Sequence, residues 1–262
     1  MSSSFLFQRV LVTNDDGIDA PGLAVAAAIA AELAAEVWVV APEHDQSGVA
    51  QAISLHQPLR CYPRGERRYA LSGTPADCVL YAMAAFFDGA PPDLVLSGVN
   101  CGANVSDAVM YSGTVGAALA AAHLGVPAVA LSQSYEQREQ IDWSPARQHA
   151  AALVRTLVAQ QGGERCWNIN FPAAPAPGVP IRITRQLRGS VPRPGLKHGT
   201  DGRGLPYQWL TFRRDPQGVT AADSDVVALE QGCIAVMPLQ TSRCDQPLVD
   251  ALRAAPALFE QD

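Results

Sequence analysis

Arg9-Val-Leu-Val-Thr-Asn-Asp-Asp-Gly17 decides how the rest of the chain is read. A β-branched and aliphatic run stops abruptly in Asn14, Asp15, Asp16 and Gly17, and within a few residues Pro21 opens an Ala-rich helical pattern. That is a strand feeding a helix, and in an open α/β sheet the carboxyl end of a strand is where ligands bind. Two adjacent carboxylates placed there repel each other and are costly to bury unless a cation compensates them. A single aspartate would serve as a cap for the following helix. Both, together with Asn14, exceed what a cap needs, so the stretch reads as a divalent-metal site.

Working outward, the same alternation repeats. Pro21 to about Ala35 reads as helix, with Pro in its first turn. Glu36–Val40 is a second strand, and the polar segment 43–52, with Ser47-Gly48, is a loop beyond its carboxyl end. Residues 53–71 suit an excursion containing a hairpin, and a helix follows over 76–87. Asp93–Ser97 is a buried-type strand trailed by a small-residue loop to Tyr111. Ser112-Gly-Thr114 opens a helix ending near Gly125, Val126–Ser132 is strand, and Pro145–Gln160 is helix. This order is the signature of an α/β fold, a parallel sheet with helices on both faces. After Trp167–Phe171 the character changes. Pro172–Pro180 is a Pro/Ala-rich connector, and Arg188–Pro206 is a Gly/Pro-rich, basic, exposed arm. Asp223–Gly232 looks helical, Cys233–Leu239 is a last strand, and Pro247–Ala255 is a short terminal helix. The expected division is a catalytic core over residues 1–172, completed by an arm, hairpin, return strand and helix over 173–262 that also supply oligomer contacts.

Three further loops belong with the acidic pair. Ser47-Gly48 follows the second strand, Ser97-Gly-Val-Asn100 follows the third, and Ser112-Gly-Thr114 begins a helix, where free amides favour a phosphate. Each is weak alone, but the topology would gather them along one edge. Asp15, Asp16, Ser47 and Asn100 form a hard-oxygen set suited to Mg²⁺ or Mn²⁺ rather than zinc. Four single-oxygen ligands on an octahedral ion leave room for a water and a phosphate oxygen, an arrangement suited to water activation. Asp77, in a helix's first turn, reads as structural. Asn104 and Asp107 either line the pocket or satisfy loop amides. Of the five histidines only His44 sits in a candidate active-site loop.

Composition limits the alternatives. With 262 residues, 48% of them apolar, the chain can bury a substantial core. A net charge of −6 argues against binding a nucleic-acid duplex, which needs a basic face. The six cysteines form no CxxC pair and the first twenty residues carry no signal-peptide pattern, so reduced thiols and a cytoplasmic location are expected. The apolar stretches are broken by Glu32, His123 and Pro127, so no membrane span is expected.

Six motifs now stand in order: Asn14–Gly22, Ala41-Pro42 with Ser47-Gly48, Ser72–Val79, Pro92–Gly102, Tyr111–Val115 and Asn168–Pro172. Together they resemble the SurE family, metal-dependent phosphatases of nucleoside monophosphates. The resemblance covers about Val10 to Pro172, with an echo at Asp223–Leu239. It implies a Rossmann-like core, a mostly parallel sheet with helices on both faces, and one divalent metal ion per subunit on Asp15, Asp16, Ser47 and Asn100. It also implies a phosphate pocket at Asn100, Ser112, Gly113 and Thr114, and a homodimer or homotetramer built partly through the C-terminal arm. The loop Glu43-His-Asp-Gln46 departs from the family's usual residues. The expected activity is hydrolysis of nucleoside 5′- and 3′-monophosphates, with short polyphosphate a further candidate, and with Asp15 or Asp16 accepting a proton from the attacking water. Two alternatives remain open. An aspartyl-phosphate phosphatase using Asp15 as nucleophile is disfavoured because the chain's one lysine, Lys197, lies in the arm. The other is a non-catalytic, metal-dependent nucleotide sensor.

Overall fold

The computed structural model describes residues 5–160, 165–187, 193–213 and 221–254. The chain runs β1 (Phe7–Thr13), α1 (Pro21–Ala31), β2 (Ala34–Pro42), β3 (Cys61–Gly65), β4 (Arg68–Leu71), α2 (Pro75–Ala85) and β5 (Leu94–Cys101). A 3-10 turn (Ser106–Tyr111), α3 (Gly113–His123), β6 (Ala128–Gln133), a second 3-10 turn (Arg138–Gln140), α4 (Ser144–Val158) and β7 (Cys166–Phe171) follow. The remainder is β8 (Ile181–Ile183), β9 (Arg193–Thr200), β10 (Pro206–Arg213), α5 (Asp225–Glu230), β11 (Ile234–Leu239) and α6 (Gln246–Arg253).

Among the described residues nine strands form one sheet in the order β3-β4-β2-β1-β5-β6-β7-β11-β8. The run from β4 through β7 is parallel throughout, whereas β3 pairs antiparallel with β4, and β11 antiparallel with β7. The apolar runs of β1 and β5 follow from burial on both faces. Successive side chains alternate across a strand, so Val10 and Val12 of β1 join Leu94 and Leu96 of β5 in the core beneath α1 and α4. Leu11 and Val95 point the other way, into the core beneath α2 and α3. The mostly parallel Rossmann-like sheet with helices on both faces is therefore as the sequence pattern indicated.

Three boundaries differ from expectation. Helix α1 stops at Ala31, not near Ala35, because Ala34 is already paired with Phe7 of β1. Sheet pairing here outweighs alanine's helical preference. Strand β5 runs on through Asn100 to Cys101, with an irregular register against β6 between Ser97 and Asn100. The segment after Phe171 also carries a strand the composition hid: β8 pairs with β11 at the far edge of the main sheet. Of the expected arm, residues 188–192 lie outside the described residues. Residues from Arg193 onward form the β9–β10 hairpin, a two-stranded sheet of its own. Ala255, the expected end of the last helix, also lies outside the described residues. All six cysteines are free thiols, and among the described residues no helix is long and apolar enough to cross a membrane.

Sheet order fixes where a ligand can sit. From β1 the chain moves to β2 on one side and later returns to place β5 on the other. The carboxyl ends of β1 and β5 thus flank a topological switch point, the preferred ligand crevice of this architecture.

Candidate active site

The turn after β1 is built to present two carboxylates. Asn14 is fully buried and its Nδ2 donates to the Gly17 carbonyl at 2.9 Å, closing a loop around Asp15 and Asp16. Gly17 takes φ +100°, a conformation side chains disfavour, and a Cβ there would also press on the His44 backbone at 3.3 Å. The Gln46 amide donates to the Asp15 carbonyl at 2.8 Å, so the loop carrying Ser47 is tied directly to this turn. Within that loop the Ser47 amide donates to Asp45 Oδ1 at 2.7 Å, fixing the approach of Ser47.

From the other side of the switch point, the Cys101 amide at the end of β5 donates to Asp16 Oδ2 at 3.0 Å. Asn100, one residue earlier, spends its Nδ2 on the Gly102 carbonyl at 2.8 Å. Its side-chain oxygen is thereby the end left to a ligand. Asp15, Asp16, Ser47 and Asn100 all line one cleft of about 240 Å³, together with Ser112, Tyr111, Ala108, Asn104, Asp107 and Arg138. The four residues expected to hold a cation are thus brought together from the turn after β1, the loop after β2, and the end of β5.

The electrostatics of the pair favour a positive charge beside it. Burial raises the Asp15 carboxyl from 3.8 to about 6; a hydrogen bond from Thr114 opposes the rise and the neighbouring Asp16 adds to it. Asp16 is raised as well, first by burial, with the Cys101 amide lowering it and Asp45 raising it. Among the described residues neither carboxylate has an ion-pair partner. No group of three or more His, Cys, Asp or Glu side chains there is arranged to hold a metal. The available donors are two carboxylates, a hydroxyl and an amide oxygen, which fit a hard divalent cation.

The Ser112-Gly-Thr114 turn is placed differently from expectation. Ser112 lines the cleft, and its Oγ caps α3 by accepting from the Val115 amide at 3.0 Å. Its own hydroxyl proton remains free to donate. Gly113 and Thr114 are buried and do not line the cleft. Thr114 Oγ1 donates to Asp15 Oδ1 at 2.5 Å, so its hydroxyl is engaged by the carboxylate. His44 is exposed and also outside the cleft lining. Asp77 is structural: it completes a capping box with Thr74 at the start of α2 and accepts from the Ser54 amide at 2.9 Å.

Sequence reasoning missed Arg138, and it gave Tyr111 no role. Arg138 lies on an exposed polar turn after β6 with no local signal separating it from a solvated surface, yet among the described residues it is the one basic side chain lining the cleft. Its charge acts on Asp16. Tyr111 is 56% exposed at the cleft wall, and its carbonyl is anchored by the Ala50 amide at 3.0 Å. The C-terminal part of the chain braces this wall. Asp225 Oδ2 accepts from the Ser106 amide at 2.8 Å, and Gln186 Nε2 donates to the Ser106 carbonyl at 2.9 Å.

A sequence model of the family described as Survival protein SurE matches residues 10–192. A 5′-nucleotidase SurE 1 from Burkholderia lata is 45% identical over 252 residues, covering 95% of this chain and 97% of its own. A 5′-nucleotidase SurE from Methylocella silvestris is 47% identical over 244 residues, covering 91% and 96%. Among solved structures, that of the SurE protein from Aquifex aeolicus superposes with a TM-score of 0.79 at 27% identity, covering 95% of this chain and 99% of that one.

Proposed function

The chain belongs to the SurE family, and from that premise we propose that it is a divalent-metal-dependent phosphomonoesterase acting on nucleoside monophosphates. The observation that carries the reading is the Asp15–Asp16 pair: two carboxylates at the switch-point cleft, both raised by burial, without an ion-pair partner among the described residues, and facing the same space as Ser47 and Asn100. These four residues would hold one Mg²⁺ or Mn²⁺ per subunit. When bound there, the cation would add positive field at the two carboxylates, acidifying water and offsetting charge on the phosphoryl group.

The chain's own groups then divide the remaining work. A substrate phosphate meets the Ser112 hydroxyl, the second Nδ2 proton of Asn100 and the Arg138 guanidinium, a planar donor well matched to phosphate oxygens. Asp16 stands at the cleft, half-buried and steadied by the Cys101 amide, as the carboxylate that accepts the proton of the attacking water. Tyr111, exposed beside Ala108, offers an aromatic face to a nucleobase. A nucleophilic Asp15 fits less well: it is only 4% exposed and one of its oxygens is bonded to Thr114. Lys197, the lysine a phospho-aspartate would call on, lies on β9 in the separate hairpin.

Two further assignments belong to this reading. Self-association into a homodimer or homotetramer is supported by the β9–β10 hairpin, where Leu196 and Leu210 pair across the strands, both more than half exposed. A two-stranded hairpin is marginally stable in water by itself. A cytoplasmic location is supported by the six free thiols. Phosphate release from nucleoside 5′- and 3′-monophosphates, sugar phosphates and short polyphosphate, each with Mg²⁺ and with Mn²⁺, tests the reading. Metal-dependent turnover highest on the nucleotides is expected, and tight AMP binding with no phosphate release would make the protein a sensor instead.

A further inference from the structure

The Asn168-Ile-Asn170 stretch of β7 takes no part in the machinery described so far, yet both asparagines are buried, at 0% and 1% exposure. Two residues apart on a strand, they lie on one face. Asn168 Nδ2 and Asn170 Nδ2 both donate to the Asn104 carbonyl, at 2.8 and 3.1 Å, and the Asn104 amide donates to Asn170 Oδ1 at 2.8 Å. The backbone of Asn104 is therefore gripped at both its donor and its acceptor. From there the chain of bonds continues through the side chain: Asn104 Nδ2 donates to Ser132 Oγ at 2.9 Å and to Thr114 Oγ1 at 3.3 Å. Thr114 Oγ1 passes its own proton toward Asp15 Oδ1 at 2.5 Å.

The chemistry of these groups sets the direction of the chain. An amide NH₂ can only donate, a hydroxyl that receives one hydrogen bond keeps its proton for the next, and a carboxylate can only accept. Every member is at most 7% exposed, a setting in which linked hydrogen bonds strengthen one another. The end of the chain is a carboxylate with one oxygen committed, so its rotation about the Cβ–Cγ bond is fixed.

We propose that Asn104 is a positioning residue for the cation site: clamped by Asn168 and Asn170, it orients Asp15 through the Thr114 hydroxyl. This rests on the reading of Asp15 as a cation ligand. Asn104 also borders the cleft, so the competing role is direct contact with substrate, and the two roles separate experimentally. The test is calorimetric titration of Mn²⁺ alone into full-length wild type, Thr114→Val, Thr114→Ser and Asn104→Ala, each first checked for folding by circular dichroism. Partners one step behind a metal ligand are typically worth about 10–100-fold in metal affinity, and that loss is expected for Thr114→Val and Asn104→Ala. Thr114→Ser retains the donor and should stay within about threefold of wild type, while the AMP KM at saturating Mn²⁺ moves less than about threefold in all the variants. Wild-type Mn²⁺ affinity in Thr114→Val overturns the proposal, as does a raised KM with unchanged Mn²⁺ affinity in Asn104→Ala. Should Asn104→Ala fail to fold, the Thr114 pair decides alone. Wild type that takes up no Mn²⁺ overturns the metal reading itself, a result distinct from wild type and Thr114→Val binding equally.

Discussion

Gly113 and Asp15 are in such close approach that a Cβ added to Gly113 would stand 2.8 Å from Asp15 Cβ and 3.0 Å from Asp15 Oδ2. The first turn of α3 is thus pressed against the carboxylate, and only a residue without a side chain allows it. Gly113→Ala must push Asp15 out of place, because the atom it meets is next to backbone and cannot swing away. Overpacking of this kind costs about 1–3 kcal/mol in stability. Metal affinity should fall at least about tenfold, measured by Mn²⁺ titration beside a denaturant melt. Unchanged affinity would mean that Asp15 is not where the cation is held.

Stability should carry the signature of Asp15 as well. Its folded pKa, about 6, lies above the 3.8 of an ordinary aspartate, chiefly through burial. The folded protein holds that proton more tightly than the unfolded chain does. The resulting stabilisation is fully present below the unfolded value and is lost as pH rises through the folded one. In metal-stripped buffer, wild type should lose roughly 2 kcal/mol relative to Asp15→Asn between about pH 4 and pH 7. Asp16 and Asp225 are raised too and give slopes of the same sign, so the difference between the two proteins, from urea melts, isolates Asp15. Parallel pH curves would show that the metal-free carboxyl is not strained by burial.

Much of this site was legible because its signal is local. An apolar run ending in Asn-Asp-Asp-Gly17 names both the strand and its ligands, and Ser47 follows β2 while Asn100 lies at the end of β5, the strands that flank β1. Thr114 was readable as important but not for its task. A Ser-Gly-Thr at a helix start looks the same whether its neighbour is a bound anion or an internal carboxylate, and here the neighbour is Asp15, 99 residues away. Arg138 was not legible, because an exposed turn after β6 becomes part of the cleft only once the sheet is assembled. Ala34 and Ala35 misled for a different reason: alanine favours helix, and pairing of the segment with β1 overrode it.

Tyr111 should distinguish nucleotides from other phosphate esters. Stacking of a base on an aromatic side chain is worth about 1–3 kcal/mol, so Tyr111→Ala should raise the KM for AMP by about tenfold. Ribose 5-phosphate, which has no base to stack, should be hydrolysed with an unchanged KM. An equal rise for both substrates would assign Tyr111 to the phosphate end or to the shape of the turn.

The central claim is that Asp15 and Asp16 hold a cation without which nucleotides are not hydrolysed, and phosphate release from AMP tests it most directly. Wild-type turnover should vanish in EDTA and return with Mg²⁺ or Mn²⁺. Asp15→Asn preserves size and hydrogen-bonding shape and should fold, yet it should be slower by at least about 100-fold, the scale of losing one charge contact in a transition state. Full wild-type turnover in EDTA, or normal turnover by Asp15→Asn, would contradict the account.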